Sequence, residues 1–218
     1  MDRFLERAPY FLAVMLDGAI TTVEVTLGGL LLAIVAGLFV AMVRIAGGPA
    51  SRLAVAYVEF LRGTPVLAQL FILYFGLVEV GLVTLQPLQA AVLGLGLNGA
   101  AYLAEVFRSG IQAIHRGQME AALSIGLTPL GAMRRVVLPQ ALRIVLPPIG
   151  NFSIGLLKDT AVVSAVAAPE IMFRARQLTT ETFQSGQIYL LAALIYLALS
   201  LPLSQLVRRL ERVSPAWH

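Results

Sequence analysis

Two adjacent charged residues, Lys158 and Asp159, interrupt a long apolar stretch in the second half of this sequence. If their helix starts near Pro147, a rise of about 1.5 Å per residue puts them about 16 Å along it, close to the middle of a bilayer. A central Lys or Asp is unfavourable by about 2.5 to 3.5 kcal/mol on insertion scales, so both side chains should face protein or a water-filled cavity. A carboxylate in such a cavity can bind the ammonium group of a small molecule.

Adjacent helical residues point about 100° apart, so the two charges cannot face the same spot. We expect Asp159 to face a polar pathway and Lys158 to be held by another helix or a partner chain. A purely structural ion pair within the helix bundle is the alternative. The other candidate pathway residues, taken from their spacing to Asp159, are Thr160, Ser164, Phe152 and Asn151.

The composition indicates a membrane protein, because 58% of the residues are hydrophobic and only 13% are charged. There is no Cys, so the sequence contains neither a thiolate metal site nor a nucleophilic thiol. The two histidines, His115 and His218, are too far apart in sequence to suggest a metal site. The arginines lie beside the apolar runs and form no stripe with aromatic residues, which argues against nucleic acid as a partner.

Stretches without charge predict the membrane spans, since about 20 apolar residues cross a hydrocarbon core of about 30 Å. We therefore expect an all-α membrane protein of one domain with five transmembrane helices. The predicted spans are approximately 12–44, 54–79, 87–114, 146–168 and 187–207, and a polar loop at 115–143 lies between the third and fourth.

Basic residues near the ends of short loops predict the orientation. Alternation across five spans puts three groups of arginines on one side, which should be the cytoplasm. The groups are Arg44 with Arg52, then Arg116, Arg134, Arg135 and Arg143, and finally Arg208, Arg209 and Arg212. The N-terminus is then outside and the C-terminus inside. The outer segment 170–187 carries Arg174 and Arg176 against this rule, and we expect it to fold against the bundle. The start is no cleavable signal, because Asp17 ends a short apolar stretch.

The polar loop reads as a helix-turn-helix. Residues from Gln118 to Ile125 are good helix formers, and Gly126 can take the left-handed conformation that ends a helix. Thr128 can cap a second helix with Pro129 in its first turn, and that helix is expected to stop at Pro139.

Small residues at this turn, Ala121, Ala122 and Gly126, allow another surface to approach the backbone closely. An ordinary interfacial loop rich in Ala and Gly is the alternative.

The run Glu120-Ala-Ala-Leu-Ser-Ile-Gly126, followed after nine intervening residues by Val136-Val-Leu138-Pro139, resembles the cytoplasmic EAA loop of permease subunits of ATP-binding-cassette (ABC) importers. Six of the seven specified positions match, and Val136 stands where the family usually has Ile. The resemblance implies that this loop transmits movement from an ATPase. The residues that it assigns to ATPase coupling are Glu120, Ala121, Ala122, Gly126, Leu138 and Pro139.

Further segments narrow the resemblance to one group within this family. The run Glu59-Phe-Leu-Arg-Gly-Thr-Pro65 looks like the FxRGTP segment of polar amino-acid permeases, and the likeness extends from about residue 18 to residue 209. It implies a multi-pass subunit of the bacterial cytoplasmic membrane that pairs with itself or a sister permease and receives cargo from an extracytoplasmic solute-binding protein. ATP and Mg would be bound by two partner ATPase subunits, and no cofactor by this chain.

Several helix residues have simpler expected roles. Glu105 and Arg108 are three residues apart on one helical face and are expected to pair. Gly94, Asn98 and Ala101 are expected to serve helix packing, because small side chains let helices approach closely in lipid.

Other function classes find little support in the sequence. It contains no GxxxxGK[ST], HExxH or GxSxG motif, so an independent enzyme or ATPase is disfavoured. An ion-coupled secondary carrier would need no coupling loop. In relatives of the resembled family that import basic amino acids, an acidic residue often stands where this chain has Phe152. The predicted cargo is therefore a polar amino acid or a close zwitterionic analogue, and a basic amino acid is the alternative.

Overall fold

The computed structural model describes residues 2–213 and the side chains of residues 7–209. The Arg212 side chain and His218 lie outside the described residues. Regular structure within the described part is helical throughout, as expected for an all-α protein. The helices are α1 Asp2–Ala46, α2 Gly48–Gly63, α3 Val66–Glu79, α4 Pro87–Gln112, α5 Arg116–Ser124, α6 Pro129–Val166, α7 Ile171–Thr182 and α8 Ser185–Val213.

Four of these helices, α1, α4, α6 and α8, are long and apolar enough to cross a membrane. A fifth span exists if α2 and α3 are counted together, but their axes are bent by 108°. The prediction of an all-α protein with several membrane spans is confirmed, and the predicted number of five is reached only if the bent pair counts as one span. The chain thus has enough long apolar helices for a multi-pass membrane protein.

The expected continuous second span, 54–79, is broken at Thr64 and Pro65. Thr64 has φ −117° and ψ 147°, which is extended backbone, and Pro65 is followed at once by α3. The residue before a proline is pushed out of the helical region by a clash with the proline ring, so the break is encoded locally. The Thr64 hydroxyl then donates to the Phe60 carbonyl at 2.8 Å, which satisfies one of the last carbonyls of α2.

The fourth long helix starts much earlier than expected. Helix α6 begins at Pro129 and runs through Pro139, Pro147 and Pro148, so neither the expected stop at Pro139 nor the expected start near Pro147 occurs. A π-helical turn at Met133–Val137 precedes Pro139 and widens the helix by one residue per turn. Such local adjustments let a helix accommodate prolines, which lack an N–H and crowd a carbonyl one turn earlier.

Helices α1 and α4 form the most extensive contact in the bundle. Their backbones approach closely at Gly37, where an added Cβ would lie 2.9 Å from the Ala100 carbonyl oxygen. Only a glycine allows this distance, as is common where membrane helices pack through small residues. This contact, with Val58 of α2 and Val145 of α6 beside it, belongs to one buried cluster of the core.

Helix α7 lies across the N-terminal part of α1. Its apolar side, with Ile171 and Leu178, is buried against Phe11 and Met15 of α1. Arg174 also pairs with Asp17 at 2.5 Å. The expectation that segment 170–187 folds against the bundle is therefore confirmed.

Candidate functional site: the elbow and the polar residues of α6

The turn between α5 and α6 is closed by two backbone hydrogen bonds. The N–H of Gly126 donates to the Leu123 carbonyl at 2.9 Å, and the N–H of Leu127 donates to the Ala122 carbonyl at 3.2 Å. This pair of bonds is the Schellman arrangement, which requires a left-handed residue after the helix end. Gly126 supplies it with φ 86°. The sequence prediction that Gly126 ends the first arm is confirmed by this geometry.

The second arm begins as expected. Thr128 has extended backbone angles, and its hydroxyl oxygen accepts from the Gly131 N–H at 3.1 Å. Pro129 follows in the first turn, where its missing N–H has no helical partner to lose. We call the segment 116–139, from the start of α5 to Pro139, the elbow.

A side-chain contact holds the two arms of the elbow together. The Gln140 amide donates to the Val136 carbonyl at 2.9 Å and to the Gln118 side chain at 3.3 Å. Gln140 therefore links α5 to α6 across the turn. No sequence pattern predicts this link, because only the tertiary arrangement of the arms brings the two glutamines together.

The predicted coupling residues divide between two faces of the elbow. Glu120, Ala121, Gly126 and Pro139 are exposed, whereas Leu138 is half-buried and Ala122 is buried at 3% exposure. Ala122 is thus covered by the chain itself and does not meet an approaching surface.

Two large apolar side chains surround the exposed glycine. Ile125 is 79% exposed and Leu130 is 78% exposed. A Cβ added to Gly126 would find no atom within 4 Å, so the backbone there is open. Exposed apolar residues beside accessible backbone fit a surface that another protein covers.

The charged pair of α6 lies where the α-helix gives way to a 3₁₀ segment. Asp159 is the last α-helical residue, and Thr160–Val166 continue as 3₁₀-helix. Lys158 and Asp159 are both exposed in this chain. Lys158 lines a groove of about 670 Å³ together with Tyr189, Tyr196 and Ser200 of α8.

The two hydroxyls expected near Asp159 point elsewhere. Thr160 is fully buried and donates to the Leu157 carbonyl at 2.7 Å, while Ser164 is 6% exposed and donates to the Ala161 carbonyl at 2.8 Å. Both hydroxyls are thus bonded to their own helix. The structure separates them from the exposed side of Asp159.

The aromatic residue of the candidate pathway has a partner from another helix. Phe152 is half-buried and stacks on Tyr102 of α4, with ring centroids 5.3 Å apart and an interplanar angle of 17°. Asn151, one residue earlier, is exposed. Tyr102 is 45% exposed and becomes an additional candidate for the pathway. No local sequence pattern predicts this stack, because it joins residues of two different helices.

The expected pair of Glu105 and Arg108 is present and belongs to a larger network. Arg108 bonds Glu105 at 2.8 Å, and Arg44 at the end of α1 bonds the other oxygen of the same carboxylate. Arg108 also donates to Gln112 at 2.6 Å. The network ties α1 to the last turns of α4, directly before the elbow.

A second network surrounds the break between α2 and α3. The Gln69 amide donates to the Leu61 carbonyl at 2.8 Å and to the Thr64 carbonyl at 3.1 Å, and Asn98 donates to the Leu61 carbonyl at 3.1 Å. Asn98 also donates to Gln69 at 3.1 Å. Asn98 therefore does more than pack helices, because it helps satisfy the carbonyls that the break leaves free.

Within the described residues, no cluster of three or more His, Asp or Glu side chains could hold a metal ion. The candidate site is accordingly a set of surfaces and polar side chains along a helix bundle.

Comparison with known proteins assigns the chain to a family. Residues 33–213 match the family described as binding-protein-dependent transport system inner membrane component. The chain is 39% identical over 198 residues to the probable glutamine ABC transporter permease protein GlnM of Bacillus subtilis, covering 90% of this chain and 91% of that protein. It is 35% identical over 200 residues to the glutamine transport system permease protein GlnP of Escherichia coli, covering 91% of each.

Solved structures agree with this assignment. The crystal structure of an amino acid ABC transporter with histidines contains a chain that is 36% identical and superposes with a TM-score of 0.89, covering 96% of this chain and 97% of that one. An inward-facing structure of the MetNI methionine ABC transporter has the same fold at 23% identity, with a TM-score of 0.71 over 91% of this chain and 97% of the other. The protein therefore belongs to the family of inner-membrane components of binding-protein-dependent transport systems.

Proposed function

We propose that this chain is the membrane-spanning permease subunit of an ATP-driven importer that moves a polar amino acid, or a close zwitterionic analogue, into the cytoplasm by alternating access. The observation that carries the proposal is the similarity to glutamine and amino-acid permeases over about nine tenths of the chain. Its 36% identity to a chain of a solved amino acid ABC transporter supports the same substrate class.

The elbow is the proposed contact with the ATPase. Glu120, Ala121, Gly126 and Pro139 form its exposed side, and the apolar Ile125 and Leu130 flank the open glycine. Ala122 and Leu138 act from inside by keeping the two arms packed. ATP and Mg are bound by the ATPase partner, since this sequence has no phosphate-binding loop of its own.

The network around Glu105 gives the elbow a rigid base. Arg44 and Arg108 hold the carboxylate from α1 and α4, only a few residues before α5 begins. A movement of the elbow would therefore be transmitted to α1 and α4 together. The proposed ATPase contact requires the elbow and its arginines to lie on the cytoplasmic side, with the N-terminus outside and the C-terminus inside.

Asp159 is the proposed contact for the substrate ammonium group. It is exposed at the end of the α-helical part of α6, and the proposal requires that a second permease subunit enclose the space beside it. Asn151 lies about two helical turns earlier and is exposed as well. Lys158 lines the groove beside α8.

The stacked pair of Phe152 and Tyr102 sets the proposed preference for cargo. Phe152 occupies the place from which a carboxylate would meet a cationic side chain in basic amino-acid importers, and its ring is covered by Tyr102. Without that carboxylate, a cationic side chain has no counter-charge at this position and only a weaker cation–π contact with the ring. Arginine and lysine are therefore expected to be poor substrates.

The complete importer contains two permease subunits, identical or sister, two ATPase subunits and an extracytoplasmic solute-binding protein.

The test is to copurify the complex, reconstitute it in proteoliposomes and measure uptake of radiolabelled glutamine with ATP inside and the binding protein outside. Competition with histidine, arginine and lysine separates the substrate classes. The matched control is the permease without ATPase subunits, which should neither take up substrate nor release phosphate. Uptake driven by an ion gradient alone, or phosphate release by the purified permease, would overturn the proposal.

A further inference from the structure

The turn between α7 and α8 ends in a phenylalanine with an unusual backbone and no cover. Phe183 has φ 57° and ψ 24°, the left-handed region, and 90% of the residue is exposed. Its N–H donates to the Thr179 carbonyl at 2.8 Å, so it occupies the position after a helix end that glycine usually fills. A bulky L-residue is strained there, and the exposed ring gains no packing in return.

Two buried polar atoms near Phe183 add to the free-energy cost of this turn. Within residues 7–209, the Thr179 hydroxyl oxygen and the Gln184 side-chain oxygen are among the few buried side-chain polar atoms without a hydrogen-bond partner. Backbone strain and unsatisfied polar groups gather where a protein meets a ligand or a partner, because selection for function overrides local stability there.

The turn is nevertheless held firmly in place. Glu170 caps the start of α7 by accepting from the Met172 and Phe173 N–H groups at 2.8 and 2.7 Å. The Tyr196 hydroxyl of α8 donates to the same carboxylate at 2.5 Å. Since α7 is also packed on α1, the helix that carries Phe183 is fixed to both α1 and α8. A backbone that is already ordered loses little entropy when a partner covers its side chain.

The location of Phe183 selects the kind of partner. Helix α7 contacts α1 around Asp17, which is roughly 40 Å from Arg44 along α1 at about 1.5 Å per residue. Arg44 joins the network at the base of the elbow, so Phe183 lies at the opposite end of the bundle from the proposed ATPase contact.

The residues around the ring favour a protein partner over lipid. They are exposed and polar or charged, which suits an interface rim and disfavours insertion into hydrocarbon. These rim residues are Thr180, Glu181, Ser185 and Gln187.

We propose that Phe183 is the apolar anchor through which this permease docks the extracytoplasmic solute-binding protein. The ring enters an apolar depression on the binding protein, and the polar side chains of the turn surround the contact. A single buried aromatic residue within a polar rim is the usual composition of an energetic hot spot. This inference rests on the proposed function, because it requires an importer that receives its cargo from such a protein.

The test uses Phe183→Gly in the complete complex reconstituted in proteoliposomes. Glycine accepts the left-handed backbone, so the variant removes the ring and the strain together, and its unfolding temperature should not fall. ATPase activity is measured against the concentration of the substrate-loaded binding protein that supports wild-type uptake. We expect the half-maximal concentration to rise about tenfold or more, as for loss of an interface hot spot. The matched control is Phe39→Ala, which removes a 69% exposed ring from the apolar helix α1 and should leave this concentration unchanged.

The outcomes separate the inference from the function on which it rests. If the binding protein stimulates the ATPase activity of the wild type and of Phe183→Gly equally, the docking role of Phe183 is wrong, but the proposed importer function is unaffected. If the binding protein stimulates neither, the proposed function itself fails. A loss of permease pairing, or of membrane retention, in Phe183→Gly would assign the ring to a second copy or to lipid and overturn the inference. Because the chain has no Cys, Phe183→Cys gives a single attachment site, and a photoactivated crosslinker on it should label the binding protein.

Discussion

Replacing Gly126 by valine tests whether the elbow transmits ATPase movement. Gly126 has φ 86°, and an added Cβ would meet no atom within 4 Å, so the substitution creates no clash with neighbouring residues. The whole penalty comes from the backbone, where a left-handed L-residue costs about 1–2 kcal/mol and a β-branched one is at the upper end. Since 1.4 kcal/mol is a factor of ten, about 2 kcal/mol lowers the population of the correctly closed turn by roughly 30-fold.

The assay compares membrane level, uptake and ATPase stimulation in the same proteoliposomes. We expect Gly126→Val to insert normally and to lose about fivefold or more of its uptake, because ATPase docking restores only part of the lost population. Gly126→Asn should lie between the wild type and Gly126→Val, since asparagine tolerates the left-handed region.

Gly76→Val is the matched control. A Cβ added to Gly76 would meet only an Ile72 methyl carbon at 3.8 Å, which is an ordinary contact, and its φ is −67°. Wild-type uptake by Gly126→Val at a normal membrane level would refute the coupling role of this turn.

Three further substitutions test other parts of the structure. Asp159→Asn should reduce uptake severalfold or more in the same transport assay, because a charge-assisted contact in a shielded site contributes about 1.5 to 3 kcal/mol. Normal transport by this variant would exclude the proposed contact between Asp159 and the substrate ammonium group. Glu105→Gln leaves Arg44 without its carboxylate, so we expect the free energy of unfolding in detergent to fall by about 1–2 kcal/mol. The control is Glu59→Gln at an exposed position, which should change this free energy little. Burial raises the pKa of Glu170, so its contribution to stability is fully present below the ordinary glutamate pKa and is lost as pH rises through the raised pKa. As pH rises through this range, the unfolding temperature of the wild type should fall, whereas that of Glu170→Gln should not show this fall.

Local features of the structure follow from short stretches of sequence. Pro65 forces Thr64 out of the helical region, Gly126 closes α5, and Thr128 caps the next helix, because each effect acts within one turn of the chain. The apolar stretches likewise predict which helices can cross a membrane, since crossing depends on length and hydrophobicity alone.

The prolines of α6 show where local reasoning fails. Pro139 and Pro147 each disfavour a helix, and the sequence analysis used both as boundaries. A π-helical turn and packing against neighbouring helices outweigh their cost, so the helix continues through them. Propensity is a weak guide when tertiary contacts stabilise the same backbone more strongly.

Contacts between distant parts of the chain were decided only by the tertiary structure. The sequence shows that Glu105 and Arg108 share a helical face, but Arg44 reaches them only because α1 and α4 pack closely. The rotation of α6 turns Thr160 and Ser164 inward while Asp159 stays exposed, and it places Phe152 on Tyr102. Helix identity is encoded within a few turns of sequence, whereas the rotation and partner of each helix depend on how all the apolar faces are buried at once.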